Sequence, residues 1–451
     1  MNINSNKYRP DIDGLRAFAV LSVILFHAQF YLFNTQIFQG GFIGVDIFFV
    51  ISGYLISKII FEDVLLNKKF SFLNFFQRRI RRIIPILFFV IAIFLLIAYF
   101  VLLPNDLVLL AKSIFSQVAF ISNMFFWSYY HFSYMAEDAL LIPFLHTWSL
   151  SIEEQFYLAF PALVLIGYKF FKKYLVHIMI FIIIVSLIVT HILSYKFPSF
   201  NFYLITSRGW EFLFGSIFAY LEIKKIKIRF LNNKYKNFIT LISFILIILS
   251  FIYFNESINH PSVITLIPVI STSLLIYYSS KEQITYKILS FKPLVKIGLI
   301  SYSLYLWHYP IFAFFRYSYI NDFEKNNLLK FFLIFLTFII SFISYHLIEK
   351  TFRNKKIDFK FCLSFILILV LPSMYFSSNI IRENGYKNRL DLSSLQSQYL
   401  IEDNSKVKEI VKNNASQEKN KKQLFILGNS HGEQFNKILQ SNNEIKKEYN
   451  I

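Results

Sequence analysis

Apolar segments of about twenty residues recur along the whole chain, and they constrain its fold more than any other feature. The sequence is 56% hydrophobic with a mean hydropathy of +0.51, whereas soluble domains are roughly 45–50% apolar. Because a helix of about 20 apolar residues crosses a bilayer core, the pattern predicts an all-α integral membrane protein. We expect about eleven transmembrane helices, near residues 15–33, 42–61, 83–103, 149–168, 175–195, 208–222, 237–254, 262–280, 295–316, 328–348 and 359–377.

A further apolar segment, near residues 107–127, is more polar than the predicted spans on either side of it because it contains Lys112, Ser113, Ser116 and Gln117. We predict that it forms one re-entrant or interfacial helix that does not cross the membrane. Lys and Arg then fall almost entirely in alternate loops, which the positive-inside rule assigns to the cytoplasm. The net charge of +19 therefore indicates contact with membrane lipids rather than nucleic acid. In this topology the N-terminus is cytoplasmic and the tail is extracytoplasmic.

The tail differs in composition from the preceding transmembrane domain, which we place at residues 1–378. Residues 379–422 are rich in Asn, Ser, Lys, Glu and Gln, which is typical of a disordered linker. A short apolar run at 423–427 then leads into GNSHG at 428–432, a turn that can present Ser430 at the end of a strand. The single cysteine, Cys362, lies in the last predicted span, so we expect no disulfide framework and no metal cofactor.

Arg16 and His27 lie eleven residues apart in the first predicted span. At about 100° per residue their side chains share one helix face, roughly 16 Å apart along the axis. Ionisable groups are costly in lipid, so both should face a protein interior or a water-filled cavity, where such residues usually serve a substrate or proton path. The alternative is that Arg16 snorkels to the cytoplasmic surface and His27 is a hydrogen-bonded packing residue.

Five sequence blocks, in order between residues 8 and 355, resemble the membrane acyltransferase-3 family, the multispan O-acyltransferases of bacterial surface glycans. They are YRPDIDGLRA at 8–17, GVDIFFVISGY at 44–54, RRIRRIIP at 78–85, HTWSLSIEEQFY at 146–157 and SYSLYLWHYP at 301–310. The resemblance implies a bacterial inner-membrane enzyme with cytoplasmic acyl-CoA, most simply acetyl-CoA, as donor. It also implies an extracytoplasmic glycan hydroxyl as acceptor, on lipopolysaccharide O-antigen, capsule or peptidoglycan. Arg16 and His27 match the family's essential Arg-x10-His pair.

The residue types agree with this chemistry. Acyl transfer to a hydroxyl needs a base with a pKa near neutrality, and His27 is either that base or a transient carrier of the acyl group. Arg16 could hold a donor phosphate or stabilise developing negative charge. A cytoplasmic cluster at the entry to the third span suits the phosphates of coenzyme A or, alternatively, anionic lipid. It comprises Arg78, Arg79, Arg81 and Arg82.

Residues at the start of the fourth span are candidates for the acceptor side of the site. Adjacent carboxylates cannot share one helix face, so we expect only one of Glu153 and Glu154 to line the cavity, and we assign Glu153 to catalysis. Trp148 could stack on a sugar ring, or it belongs to the aromatic belt of the membrane interface. Arg208 and Glu211, at i and i+3, should pair structurally. The remaining candidates for the cavity are Asp46, His146, Tyr305 and His308, the last more simply a packing histidine.

The GNSH block at 428–431 resembles the start of the extracytoplasmic Ser-Gly-Asn-His hydrolase-like domain that many members of the family carry. Such a domain needs a downstream Asp and His, whereas the sequence ends at Ile451. We therefore expect residues 423–451 to be a truncated remnant in which Ser430 is inactive. A transporter or flippase is the alternative function, since polar residues in a helical bundle also suit a translocation path.

Overall fold

The computed structural model describes residues 8–32, 35–67, 69–129, 137–226, 232–255, 257–319, 323, 326–389, 422–423 and 449–450. The chain divides into two units, Met1–Gly385 and Tyr386–Ile451. The described part of the first unit is helical except for short turns and one antiparallel pair, Tyr31–Leu32 with Thr35–Gln36. The predicted all-α class of the membrane domain is therefore confirmed.

Seventeen α-helices can be followed through the described residues of the first unit. They are α1 Pro10–Ala28, α2 Gly44–Phe61, α3 Phe72–Val101, α4 Pro104–Val118, α5 Ser122–Tyr129, α6 Trp148–Phe170, α7 Leu175–Lys196, α8 Pro198–Tyr203, α9 Ile205–Ile223, α10 Asn233–Tyr253, α11 Leu266–Tyr278, α12 Ile284–Leu289, α13 Lys292–Leu299, α14 Ser301–Ser318, α15 Asn327–Ser344, α16 Lys350–Arg353 and α17 Phe359–Arg382. Short π-helical turns follow α2 at Glu62–Leu66 and α15 at Tyr345–Glu349.

Seven helical segments in the described residues are long and apolar enough to cross a membrane. They are Gln39–Leu66, Phe72–Val101, Leu145–Phe170, Leu175–Lys196, Asn233–Tyr253, Asn327–Arg353 and Phe359–Arg382. The other four predicted spans coincide with α1, α9, α11 and α14, which are shorter or carry charged and polar side chains in the bundle interior. The protein is thus a multi-pass membrane protein, and the number of eleven crossings remains a prediction.

The segment near 107–127 is not the single helix that its composition suggested. It forms α4 and α5, and the chain breaks between them where Phe120 adopts a left-handed backbone conformation, with φ of 53°. A non-glycine residue in this region cannot continue a right-handed helix. Ser113, Ser116 and Gln117 are all buried, so these three polar side chains of α4 face the bundle.

Close helix approach at the centre of the bundle depends on glycine. A Cβ atom built on Gly53 of α2 would lie 2.0 Å from the backbone oxygen of Phe212 in α9. A Cβ atom on Gly215 of α9 would lie 2.1 Å from the backbone oxygen of Val50 in α2. Each glycine therefore lets the facing backbone approach, as small residues do in membrane helix packing. This contact fixes α2 beside α9, and both helices contribute to the site.

The region after the last span follows the prediction only in part. Helix α17 continues to Arg382, so residues 379–382, the start of the predicted linker, are helical. In the second unit, Lys422–Gln423 pairs in parallel with Tyr449–Asn450. Residues 390–421 of the linker predicted at 379–422, and Ser430, which is predicted to be inactive, lie outside the described residues.

Candidate active site

A cavity of about 750 Å³ lies between α1, α2, α3, α6 and α14. Its polar wall includes three guanidinium groups, those of Arg16, Arg79 and Arg82, and we call it the arginine cavity. Its other wall is apolar and includes Val45, Phe48 and Phe49 of α2. Because Glu153 is the only carboxylate among its lining residues, the cavity carries an excess of positive charge.

Two of these cations project from α3 at positions i and i+3, so they share one helix face. Arg79 is packed beside the ring of Tyr157, with its guanidinium carbon 5.8 Å from the ring centroid. Arg16 lies 3.4 Å from Asp13, measured from Nη1 to Oδ1, and Tyr8 donates to the other oxygen of that carboxylate at 2.8 Å. The site can therefore offer several fixed guanidinium donors to a polyanionic ligand, for which arginine geometry is well suited.

The predicted donor-binding cluster of four arginines is divided by the structure. Arg79 and Arg82 line the cavity, whereas Arg78 and Arg81 do not. Arg81 donates to the carbonyl oxygens of Phe352, Asn354 and Ile357, at 3.3, 3.4 and 2.8 Å. Those bonds hold the connection between α16 and α17.

Arg78 is the outermost member of the cluster. Its side chain is 41% exposed, and its Nη2 lies 3.9 Å from Asp63 Oδ2. Exposed pairs of this length contribute little to stability. Helix α3 turns Arg78 and Arg81 away from the cavity, so only two of the four predicted donor-binding arginines line it, and donor binding itself stays a prediction.

The two adjacent carboxylates of α6 have different surroundings. Glu153 lines the arginine cavity and accepts hydrogen bonds from Ser52 Oγ at 3.1 Å and Tyr157 OH at 3.0 Å. Glu154 is absent from the lining of that cavity, and its buried Oε1 has no hydrogen-bond partner among the described residues. Only one of the pair thus reaches the cavity, as the helical geometry required.

A second, smaller cavity of about 250 Å³ adjoins the first, and we call it the histidine cavity. It is lined by His27 and His260, together with Val23, Phe42, Val45, Trp148, Phe202 and Arg208. Val45 lines both cavities. Arg16 and His27 therefore serve two adjoining cavities from one helix, and both face the protein interior.

His27 is 2% exposed and belongs to a cluster of three buried histidines. Its Nδ1 lies 3.1 Å from Nε2 of His308, and the ring of Tyr309 packs edge-on against it with centroids 4.8 Å apart. The ring of Tyr309 also stacks on the ring of His146, with centroids 4.9 Å apart. Tyr305 donates to the backbone oxygen of His146 at 2.8 Å and so ties the start of α6 to α14.

Two basic residues that sequence reasoning missed hold the end of α1 behind His27. Arg316 donates to the backbone oxygen of His27 and, at 3.1 Å, to Oε1 of Gln29. Lys330 donates to the backbone oxygen of Gln29 at 2.6 Å. Cations near a helix C-terminus satisfy its last carbonyl groups and interact favourably with its dipole. The only signal in the sequence was that each charge interrupts a long apolar segment.

Asp46 lies in a buried ion cluster rather than on a cavity wall. Arg208 Nη1 is 2.7 Å from Asp46 Oδ1 and 3.1 Å from Glu211 Oε1. Arg208 therefore pairs with Glu211, as predicted, and also with a second carboxylate, that of Asp46. His260 Nε2 lies 3.3 Å from Asp46 Oδ2. The sequence predicted Asp46 at a cavity, but Asp46 is not a lining residue of either cavity; its carboxylate pairs with Arg208, which does line the histidine cavity. No local motif indicated His260, which comes from the loop after α10.

Trp148 is 1% exposed, which excludes the aromatic-belt alternative. Its ring packs against Phe202 with centroids 4.5 Å apart, and the Arg208 guanidinium carbon lies 5.3 Å from its ring centroid.

Within the described residues, no group of three or more His, Cys, Asp or Glu side chains has an arrangement suited to a metal ion. The site thus combines a cationic cavity, a buried histidine and aromatic walls.

These features define a multi-pass membrane protein of the acyltransferase class. The family model described as "Acyltransferase domain", acyltransferase-3, matches residues 9–346, and the chain belongs to this family. The match covers every residue of both cavities. No solved structure matches the chain significantly.

The chain is similar to named proteins of several bacterial species. The chain is 32% identical over 366 residues to O-acetyltransferase OatA of Staphylococcus aureus, covering 78% of this chain and 58% of that protein. It is 33% identical over 361 residues to peptidoglycan O-acetyltransferase OatA of Listeria monocytogenes, with 78% and 56% covered. It is 31% identical over 364 residues to the putative peptidoglycan O-acetyltransferase YrhL of Bacillus subtilis, again with 78% and 56% covered. The chain therefore spans little more than half the length of these relatives.

Proposed function

We propose that this protein is an O-acetyltransferase that moves an acetyl group from cytoplasmic acetyl-CoA to a hydroxyl of a cell-wall glycan outside the cytoplasmic membrane. The observation that carries the proposal is the meeting of the arginine cavity and the histidine cavity at Val45. One cavity suits a phosphate-bearing donor, and the other contains a base. The names of the relatives support acetyl as the group and peptidoglycan as the acceptor, ahead of lipopolysaccharide or capsule.

The donor enters from the side of the membrane that carries the basic loops, which is the cytoplasm by the positive-inside rule. Arg16, Arg79 and Arg82 bind its phosphates through charge-assisted hydrogen bonds. Glu153 faces the same cavity and accepts hydrogen bonds from the amide N–H groups of the pantetheine arm. The thioester then lies at the apolar end, beside Val45 and towards His27.

In the transfer step, the acetyl C–S bond of the thioester breaks and an ester C–O bond to the glycan forms. His27 takes the proton of the attacking hydroxyl, or first accepts the acetyl group on its ring and passes it to that hydroxyl. The coenzyme leaves as a thiol, so the hydroxyl proton is balanced by protonation of the departing sulfur. Arg208 and Trp148 line the same cavity as His27 and bound the space in which the hydroxyl reacts.

The test is mass spectrometry of cell-wall glycans from cells that express the chain. We expect base-labile acetyl groups on the glycan with the unmodified chain and none with His27→Ala at the same membrane level. His177→Ala is the matched control, because His177 lies exposed on α7 and should leave acetylation unchanged.

A second assay separates transfer from transport. Membrane vesicles are loaded with acetyl-CoA labelled in the acetyl group, and a soluble glycan acceptor is added on the opposite side. A transferase places label in ester linkage on the glycan only when the donor is present. Movement of a glycan that needs no donor thioester would instead support a flippase and refute the proposed function.

A further inference from the structure

The contact between His27 and His308 joins two residues 281 positions apart in the sequence. His308 is fully buried on α14, and its Nε2 lies 3.1 Å from Nδ1 of His27. Its other nitrogen, Nδ1, lies 3.1 Å from the backbone oxygen of Leu304, one turn earlier in the same helix. His308 therefore bridges the backbone of α14 and the ring of His27, and the transfer chemistry described above does not use it.

The hydrogen-bond partners determine which nitrogen of each ring carries the proton. A carbonyl oxygen only accepts, so Nδ1 of His308 must donate its hydrogen to Leu304. In a neutral imidazole the second nitrogen is then an acceptor, and this is Nε2 of His308. Nδ1 of His27 must consequently donate to it. In the neutral His27 ring the lone pair then lies on Nε2, the nitrogen that takes up the proton or the acyl group in the proposed reaction.

The geometry around His27 restrains its backbone as well as its ring. Arg316, from the end of the helix that carries His308, donates to the backbone oxygen of His27. Tyr309, next to His308 in the sequence, packs edge-on against the His27 ring. Three residues of α14 thus contact His27 from one side, so this helix acts as a rigid support for its orientation.

We propose that His308 is a positioning residue that holds His27 in the tautomer with its lone pair on Nε2. This inference rests on the proposed function. When Nε2 of His27 takes up a proton, its Nδ1–H remains shared with the lone pair of His308, which stabilises the charged ring. A carboxylate performs this duty in soluble hydrolases. A neutral imidazole does so without placing another charge in the low-dielectric interior of a membrane protein, where an unpaired charge is costly.

The first experiment compares His308→Leu with His308→Gln in the full-length protein in membranes. Leucine removes the acceptor, so we expect kcat to fall about 10- to 100-fold, the usual effect of losing an orienting partner. The KM for acetyl-CoA should not change, because His308 does not line the arginine cavity. Glutamine can place its amide oxygen near the former position of Nε2 and should restore most of the activity. Equal activity of His308→Leu and the unmodified chain, or equal loss in both variants, would overturn the inference.

A second experiment fixes the tautomer chemically. Nδ1-methylhistidine at position 27 always has its lone pair on Nε2, and His308→Ala provides space for the methyl group. We expect this combination to be several-fold more active than His308→Ala with ordinary histidine at position 27. No gain from the methylated residue would contradict the tautomer argument. Absence of transfer by the unmodified chain refutes the proposed function itself, whereas normal transfer that is insensitive to His308 refutes this inference alone.

Discussion

Replacement of Arg82 by alanine provides a direct test of the donor site. Arg82 shares the arginine cavity with Arg16 and Arg79, so the variant removes one of three guanidinium groups and retains the other two. A hydrogen bond to a charged group contributes about 1.5–3 kcal/mol. Since about 1.4 kcal/mol corresponds to a tenfold change, the Kd for coenzyme A should rise about 10- to 150-fold. We therefore expect the variant to bind coenzyme A much more weakly than the unmodified chain, but still to bind it.

The assay is calorimetric titration of the purified protein in lipid nanodiscs with coenzyme A, which requires no glycan acceptor. Arg78→Ala is the matched control, because Arg78 lies on the same helix but outside the cavity and is half-exposed. A second control uses pantetheine, which lacks the phosphates and should bind Arg82→Ala and the unmodified chain equally. The reasoning is refuted if Arg78→Ala weakens binding as much as Arg82→Ala, or if the pantetheine affinity falls by the same factor.

Three further perturbations test other parts of the structure. Val45→Phe adds bulk where the two cavities meet, so transfer should fall more than tenfold while coenzyme A affinity is retained; an equal loss of affinity would show that Val45 contributes to coenzyme binding rather than to the passage between the cavities. Gly53→Ala should lower the thermal unfolding temperature, because overpacking costs about 1–3 kcal/mol, whereas Gly209→Ala, with nothing within 4 Å of its new Cβ, should not. Asp46→Ala leaves a buried guanidinium poorly compensated and should cost about 3–5 kcal/mol of stability; unchanged unfolding of this variant would show that the ion cluster is not structural.

Local pattern was sufficient to predict most of the helices. Long apolar runs force the backbone to satisfy its hydrogen bonds internally, so the predicted spans correspond to helices. The helical spacing of Arg16 and His27 likewise predicted that both would face the interior. The division of the four arginines could not be predicted, since it depends on which neighbours α3 meets. Arg81 is turned towards the carbonyls of the α16–α17 connection, and Arg82 towards the arginine cavity.

Contacts between distant segments were also beyond reach of the sequence pattern. The approach of His308 to His27, and of His260 to Asp46, results from the packing of helices far apart in the chain. Neither histidine lies at a sequence spacing from its partner that would indicate the contact. The helix break at Phe120 could not be predicted either, because that position carries neither the glycine nor the proline that usually indicates the end of a helix.

The shared position of Val45 has a consequence for the permeability of the membrane. One side chain lines both cavities, so the partition between the two cavities at this point is about as thick as a single residue. A partition of that kind needs to admit only a two-carbon group, while the large charged nucleotide stays on its own side. In the proposed reaction the cell would then export acetyl groups without an exporter for the coenzyme, and the energy stored in the thioester would drive a reaction on the far side of a sealed bilayer.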